Sequence, residues 1–86
     1  MSEETNKPVK EFRFGAVKAA VWKREHDGQT FFNVSVSRSY KTDKIDGPDD
    51  HGWRETNSFG VTELGTVQLA VKMAAQWVET QLLAEV

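Results

Sequence analysis

Lys18, Trp22, Arg24 and Phe31 are of the right types, and at the right spacing, to hold an anionic, flat-faced ligand. Positions 18, 22 and 24 differ by even numbers, so on one extended strand all three side chains project from the same face. Cationic groups neutralise phosphates and exposed aromatic planes accept unstacked bases. Asn33, Ser35 and Ser37 would add hydrogen bonds with little sequence preference, and Arg13 and Lys41 would extend the track. No acid falls within this set, which is the equipment of a platform for single-stranded DNA or RNA. The competing interpretation is an ordinary solvated sheet face, where Trp22 and Phe31 pair across strands and the lysines keep the sheet soluble.

Other chemistry is poorly supported. His26 stands beside Asp27, and His51 follows Asp49 and Asp50, but no set of three or four ligands recurs at metal-site spacing. The run DKIDGPDD lacks the alternating ligands of a calcium loop. Ser58 and Tyr40 have no histidine on a neighbouring strand to activate them. Cysteine is absent, which removes disulfides and thiolate chemistry. We expect a non-enzymatic protein with no catalytic residues, metal or cofactor.

The elements that must position the track begin with HDGQ, residues 26–29, whose Asp-Gly pair suits a two-residue I′ hairpin turn. Residues facing each other then have numbers summing to 55. This pairs Val21 with Val34 and Ala19 with Val36 on one face. It pairs Arg24 with Phe31, Trp22 with Asn33, Ala20 with Ser35 and Lys18 with Ser37 on the other. Phe12 and Phe14 are out of phase with Val17, Ala19 and Val21. A β-bulge at Gly15-Ala16 would repair the phase, setting Phe14 opposite Tyr40 and Arg13 opposite Lys41. Arg38, opposite Val17, falls on the buried face and must reach water or an acid.

Residues 42–52, TDKIDGPDDHG, predict a long mobile loop. WRETNSFG follows as a third strand of unreadable register, with Trp53 and Phe59 closing the core at its ends. Thr62 is the expected N-cap of a long helix with Glu63 in its first turn. Leu64, Val67, Val71, Ala74 and Val78 make the stripe expected to pack on the sheet. An adjacent stripe of Ala70, Met73 and Trp77 widens the apolar face. It predicts a homodimer contact, or else a cap over the curl of the sheet.

With 86 residues the chain makes one domain, read as a disordered tail over 1–9 and a β-β-β-α unit over 10–86. The fold class is α+β, an antiparallel sheet of three or four strands followed by one long C-terminal helix on one face. The polar start MSEETNKPVK lacks the pattern of a secretory signal and no apolar run suits a membrane span, so a cytoplasmic protein is expected. The net charge of −2 is unevenly spread: residues 7–54 carry ten Lys or Arg against seven Asp or Glu, a balance of +3. That surplus favours an anionic partner, although overall acidity argues against strong nucleic-acid binding.

FFNVSVSRSYK, then Trp53, TNSFG and a helix carrying Leu64, Ala70, Ala74 and Trp77 resemble a group of small bacterial and plasmid-borne proteins with no assigned activity, over roughly residues 12–78. In architecture, antiparallel strands followed by a C-terminal helix resemble the whirly-type single-stranded DNA binders, which include positive-cofactor-four coactivators and Pur-alpha repeats. That resemblance implies a dimer whose β surfaces grip an unpaired strand. It also implies four strands per repeat, so here Phe12–Phe14 and the tail would have to supply the fourth. The competing function is a homodimeric protein-interaction module acting through Arg38, the second helix stripe and the acidic loop.

Overall fold

The computed structural model describes residues 7–84 of the 86-residue chain. Four strands, β1 (Lys10–Phe14), β2 (Val17–His26), β3 (Gln29–Lys41) and β4 (Trp53–Thr56), form an antiparallel sheet in chain order. A 3-10 turn, Val61–Glu63, leads into helix α1, Leu64–Ala84, which packs on one face of the sheet. The fold is therefore α+β. Residues 1–6 of the expected tail lie outside the described residues, whereas Val9 already donates its N–H to the Val21 carbonyl at 2.8 Å.

The β2–β3 hairpin has the register expected from its turn: Val21 faces Val34, Ala19 faces Val36, Trp22 faces Asn33 and Arg24 faces Phe31. Asp27 and Gly28 both adopt positive φ, 54° and 78°, as a I′ turn requires. The bulge at Gly15-Ala16 is not formed. Those residues make a second two-residue turn with Gly15 at φ 62°, and Phe12 and Phe14 belong to a separate strand facing Ala19 and Val17. Only the first central residue needs positive φ in a II′ turn, so one glycine suffices. The break in phase marks a reversal of the chain rather than an inserted residue. Arg13 consequently faces Lys18, not Lys41.

The core is thin and built from small residues. Val17, Ala19 and Val21 meet Ala70 and Ala74 of α1, with Phe12, Phe14, Phe32, Val36, Val67, Trp77 and Val78 packed around them. Ala19, Ala70 and Ala74 have no solvent exposure. With no bulk beyond Cβ on either side, helix and sheet approach closely. The helix thus sits on the Ala70–Ala74 line, and Leu64 and Val71, expected to pack on the sheet, are exposed. Ala70 and Trp77 of the stripe expected at a dimer contact belong to the chain's own core, Trp77 meeting Phe32 edge-on at 6.1 Å; Met73 is half-buried.

Gly60, rather than Thr62, caps the helical segment. Its N–H donates to the Glu63 carboxylate at 2.8 Å, satisfying a backbone donor without help from the threonine. Arg38 remains partly exposed, as a charge on this face must, and in place of an acid its Nε and Nη2 donate to the Ser58 carbonyl at 3.3 and 3.1 Å, holding the end of β4 against β3.

Candidate nucleic-acid interface

Strand alternation puts Arg13, Lys18, Trp22, Arg24, Phe31, Asn33, Ser35, Ser37 and Lys41 on the sheet face opposite α1. Near the β2–β3 turn, Arg24, His26, Phe31 and Asn33 line an open hollow of about 400 Å³. Phe31 is 47% exposed. Trp22 is half-buried, and its indole N–H donates to the Ser35 hydroxyl at 3.0 Å, which fixes the ring's orientation on the sheet. Ser35 stands opposite Ala20, and Ala20 is 3% exposed, as it should be beneath an indole held in that direction. Arg24 has no hydrogen bond or ion pair within the described residues.

The face carries features that the hairpin alone did not show. Glu11 lies beside Ala20, and Glu55 on β4 forms an ion pair with Lys18 at 3.6 Å, so acids do interrupt the basic track. Lys18 is thereby partly neutralised. Trp53, expected to close the core, instead stands opposite Lys41 on the outer face, 60% exposed, with the Lys41 ammonium 5.4 Å from its ring centroid. The face thus has two aromatic–cationic ends separated by a salt bridge. His26 and Trp53 were missed as face residues. His26 was legible, since an even position on β2 shares the face of Trp22 and Arg24. Trp53 was not, because its side depends on the β3–β4 register.

The loop over 42–52 is tied by a network of hydrogen bonds centred on Asp50. Arg54 presents two nitrogens to the two oxygens of Asp50, at 2.9 and 2.8 Å, and donates to the Lys44 carbonyl at 2.9 Å. The Asp50 carboxylate also accepts the N–H groups of Asp46 and Gly52, both at 2.9 Å. Arg54's guanidinium, followed by these two amides, holds the Asp50 carboxyl well below the usual carboxylate range. Asp50 is therefore committed to the loop. Among the described residues no group of three or more His, Cys, Asp or Glu stands close enough to hold a metal, and no helix is long and apolar enough to cross a membrane.

No family model, curated protein or solved structure matches the chain. The functional reading therefore rests on the geometry of the face itself.

Proposed function

We propose that the domain binds unpaired DNA or RNA through the outer face of its sheet, with the Arg24–Phe31 hollow as the principal seat. The observation that supports this most is the hollow itself: an unpaired guanidinium, a half-exposed phenyl ring, an imidazole and a carboxamide converge on one open space. Phe31 offers a plane for one base, Arg24 a charge for the adjacent phosphate, and Asn33 a donor and acceptor for a base edge. Trp22 carries the stacking surface toward the sheet centre. Arg13, Lys41 and Trp53 extend the path beyond the Lys18–Glu55 pair, and Ser35 serves by orienting Trp22 rather than by touching the strand. A protein partner is not favoured here, because among the described residues neither Arg24 at one end nor Lys41 at the other forms an ion pair, and each stands beside an exposed aromatic plane.

The test is a fluorescence-anisotropy titration of a labelled single-stranded oligonucleotide, with a duplex as control. With two or three phosphates neutralised, affinity should fall by roughly tenfold between about 50 and 200 mM salt. Phe31→Ala should weaken binding by about 1–3 kcal/mol, the usual loss for one stacked base, without changing the unfolding midpoint. Trp22→Ala should weaken it as well. Salt-insensitive binding, a preference for duplex, or unchanged affinity in Phe31→Ala would each overturn the proposal.

A further inference from the structure

β3 is thirteen residues long, but β4 pairs with only its last four, Arg38 to Lys41. The direction of the remaining backbone groups follows from the hairpin. The Asp27-Gly28 turn closes on the bonded pair His26 and Gln29, so odd-numbered β3 residues point their N–H and C=O toward β2. Even-numbered residues point the other way. Two bonds agree with this: Ser39 donates its N–H to the Ala16 carbonyl at 2.9 Å, and the Val36 carbonyl accepts Asn57 Nδ2 from the opposite side at 2.7 Å. Thr30, Phe32 and Val34 therefore present their N–H and C=O to an edge with no strand opposite it among the described residues.

Edges of this kind are ordinarily blunted by lysine, proline or a bulge. Here the stretch from Gln29 to Ser37, QTFFNVSVS, contains no charged residue, no proline and no break in its pairing with β2. On the inner side of the same edge Val34 is 42% exposed. The subunit is also a thin slab, 49 × 35 × 15 Å, with a radius of gyration of 15.7 Å. A compact chain of this length would have about 12 Å.

We propose that this open edge of β3 pairs antiparallel, about a two-fold axis, with the same edge of a second copy. The edge is self-complementary. The residues that offer bonds are all even-numbered, so a register whose numbers sum to 64 sets Phe32 opposite Phe32 and Thr30 opposite Val34, using groups with no partner inside the subunit. Because the stretch is uncharged, a second copy meets no like charge, whereas a charged peptide would gain nothing there. Pairing covers Val34 and joins two four-stranded sheets into one of eight strands. It also brings the two Arg24–Phe31 hollows to either side of the seam on a continuous outer face; that consequence rests on the function proposed above, while the pairing does not.

The experiment is hydrogen exchange of the full chain, followed amide by amide at low and high micromolar concentration, with sedimentation equilibrium on the same samples. The Thr30, Phe32 and Val34 amides should slow together as the mass rises to twice the 9.7 kDa of one chain. Phe31 and Asn33, bonded within the subunit, should not change. Val34→Pro removes an outward N–H without costing an internal bond, and Val34→Lys places a charge at the seam. Both should return the mass to one chain while leaving the β2–β3 amides protected. A chain that stays monomeric at high concentration overturns the proposal, as does a dimer whose three amides exchange fast, a dimer that survives both substitutions, or assembly that runs on past two copies. Oligonucleotide binding scored separately with Phe31→Ala keeps failure of this pairing distinct from failure of the functional reading.

Discussion

Arg24 and Arg54 are both strand residues next to polar, turn-rich sequence, and in the structure their situations are opposite. Arg54 is heavily engaged: both terminal nitrogens of its guanidinium are bonded, to the two oxygens of Asp50 and the carbonyls of Lys44 and Trp53, closing a loop that composition alone made look unstructured. Arg24 meets no acid or carbonyl within the described residues and borders a hollow beside an exposed phenyl ring. A cation's availability is thus decided by whether the fold brings a fork of oxygens to it. Counting basic residues along the chain does not distinguish the two.

The comparison breaks most visibly at Gly52. This residue adopts φ 87°, and a Cβ there would stand 2.6 Å from the Thr42 carbonyl, inside the loop that Arg54 closes. Gly52→Ala should destabilise the domain by about 1–3 kcal/mol from backbone strain, before the clash is added. A urea midpoint checks this, and oligonucleotide affinity at the Arg24 end should be unchanged. If binding falls with stability, the two regions are not independent.

A second, smaller effect is the acid response. The Asp50 carboxyl is held below its unfolded value, so its contribution is complete above the unfolded pKa, about 4, and is lost as pH falls from there toward its folded value. Urea midpoints of the wild type measured downward from pH 5 should fall, and those of Asp50→Asn should start lower and fall less. Parallel curves would show that the Asp50–Arg54 fork does not control the loop's stability. The smallest effect is expected between the two ends of the face. Lys18 and Glu55 form a partly exposed pair, Lys18 being half-buried and Glu55 58% accessible, and with the acid in solvent its contribution is about 0–1 kcal/mol. Glu55→Gln should leave stability nearly unchanged and, by releasing Lys18, raise single-strand affinity by roughly twofold, with a steeper salt dependence. A flat response would confine recognition to the Arg24 end.

Much of the hairpin was legible because its turn is chemically specific. Asp27-Gly28 sets the pairing sum, and period-two alternation then assigns faces from Val17 to Arg38. Gly15-Ala16 carried a weaker signal, since a glycine tolerates either a bulge or a turn; what decides between them is whether Phe12 and Phe14 gain more by facing Val17 and Ala19 than by extending β2. Helix existence was equally legible from its length and stripe. Its rotation was legible only in part: Val67, Ala74 and Val78 pack on the sheet as expected, but Leu64 and Val71 give way to Ala70, a poorer hydrophobe whose small side chain allows the closer approach.

By itself, then, the sequence determined the antiparallel hairpin, its register, which of the hairpin's own side chains share the outer face, and the presence of one C-terminal helix. These depend on turn geometry and on periods of 2 and 3.6, which are local properties of the chain. Tertiary structure alone decided that β1 is a separate strand, that Glu55 and Trp53 join the outer face, that Asp50 reaches Arg54, and that β3 from Thr30 to Val34 has no strand on its outer edge among the described residues. The β3–β4 features depend on which distant segment arrives opposite which, and no local pattern encodes that meeting; β1 and the Asp50–Arg54 fork join near neighbours in sequence, but through turns whose residues permit more than one conformation.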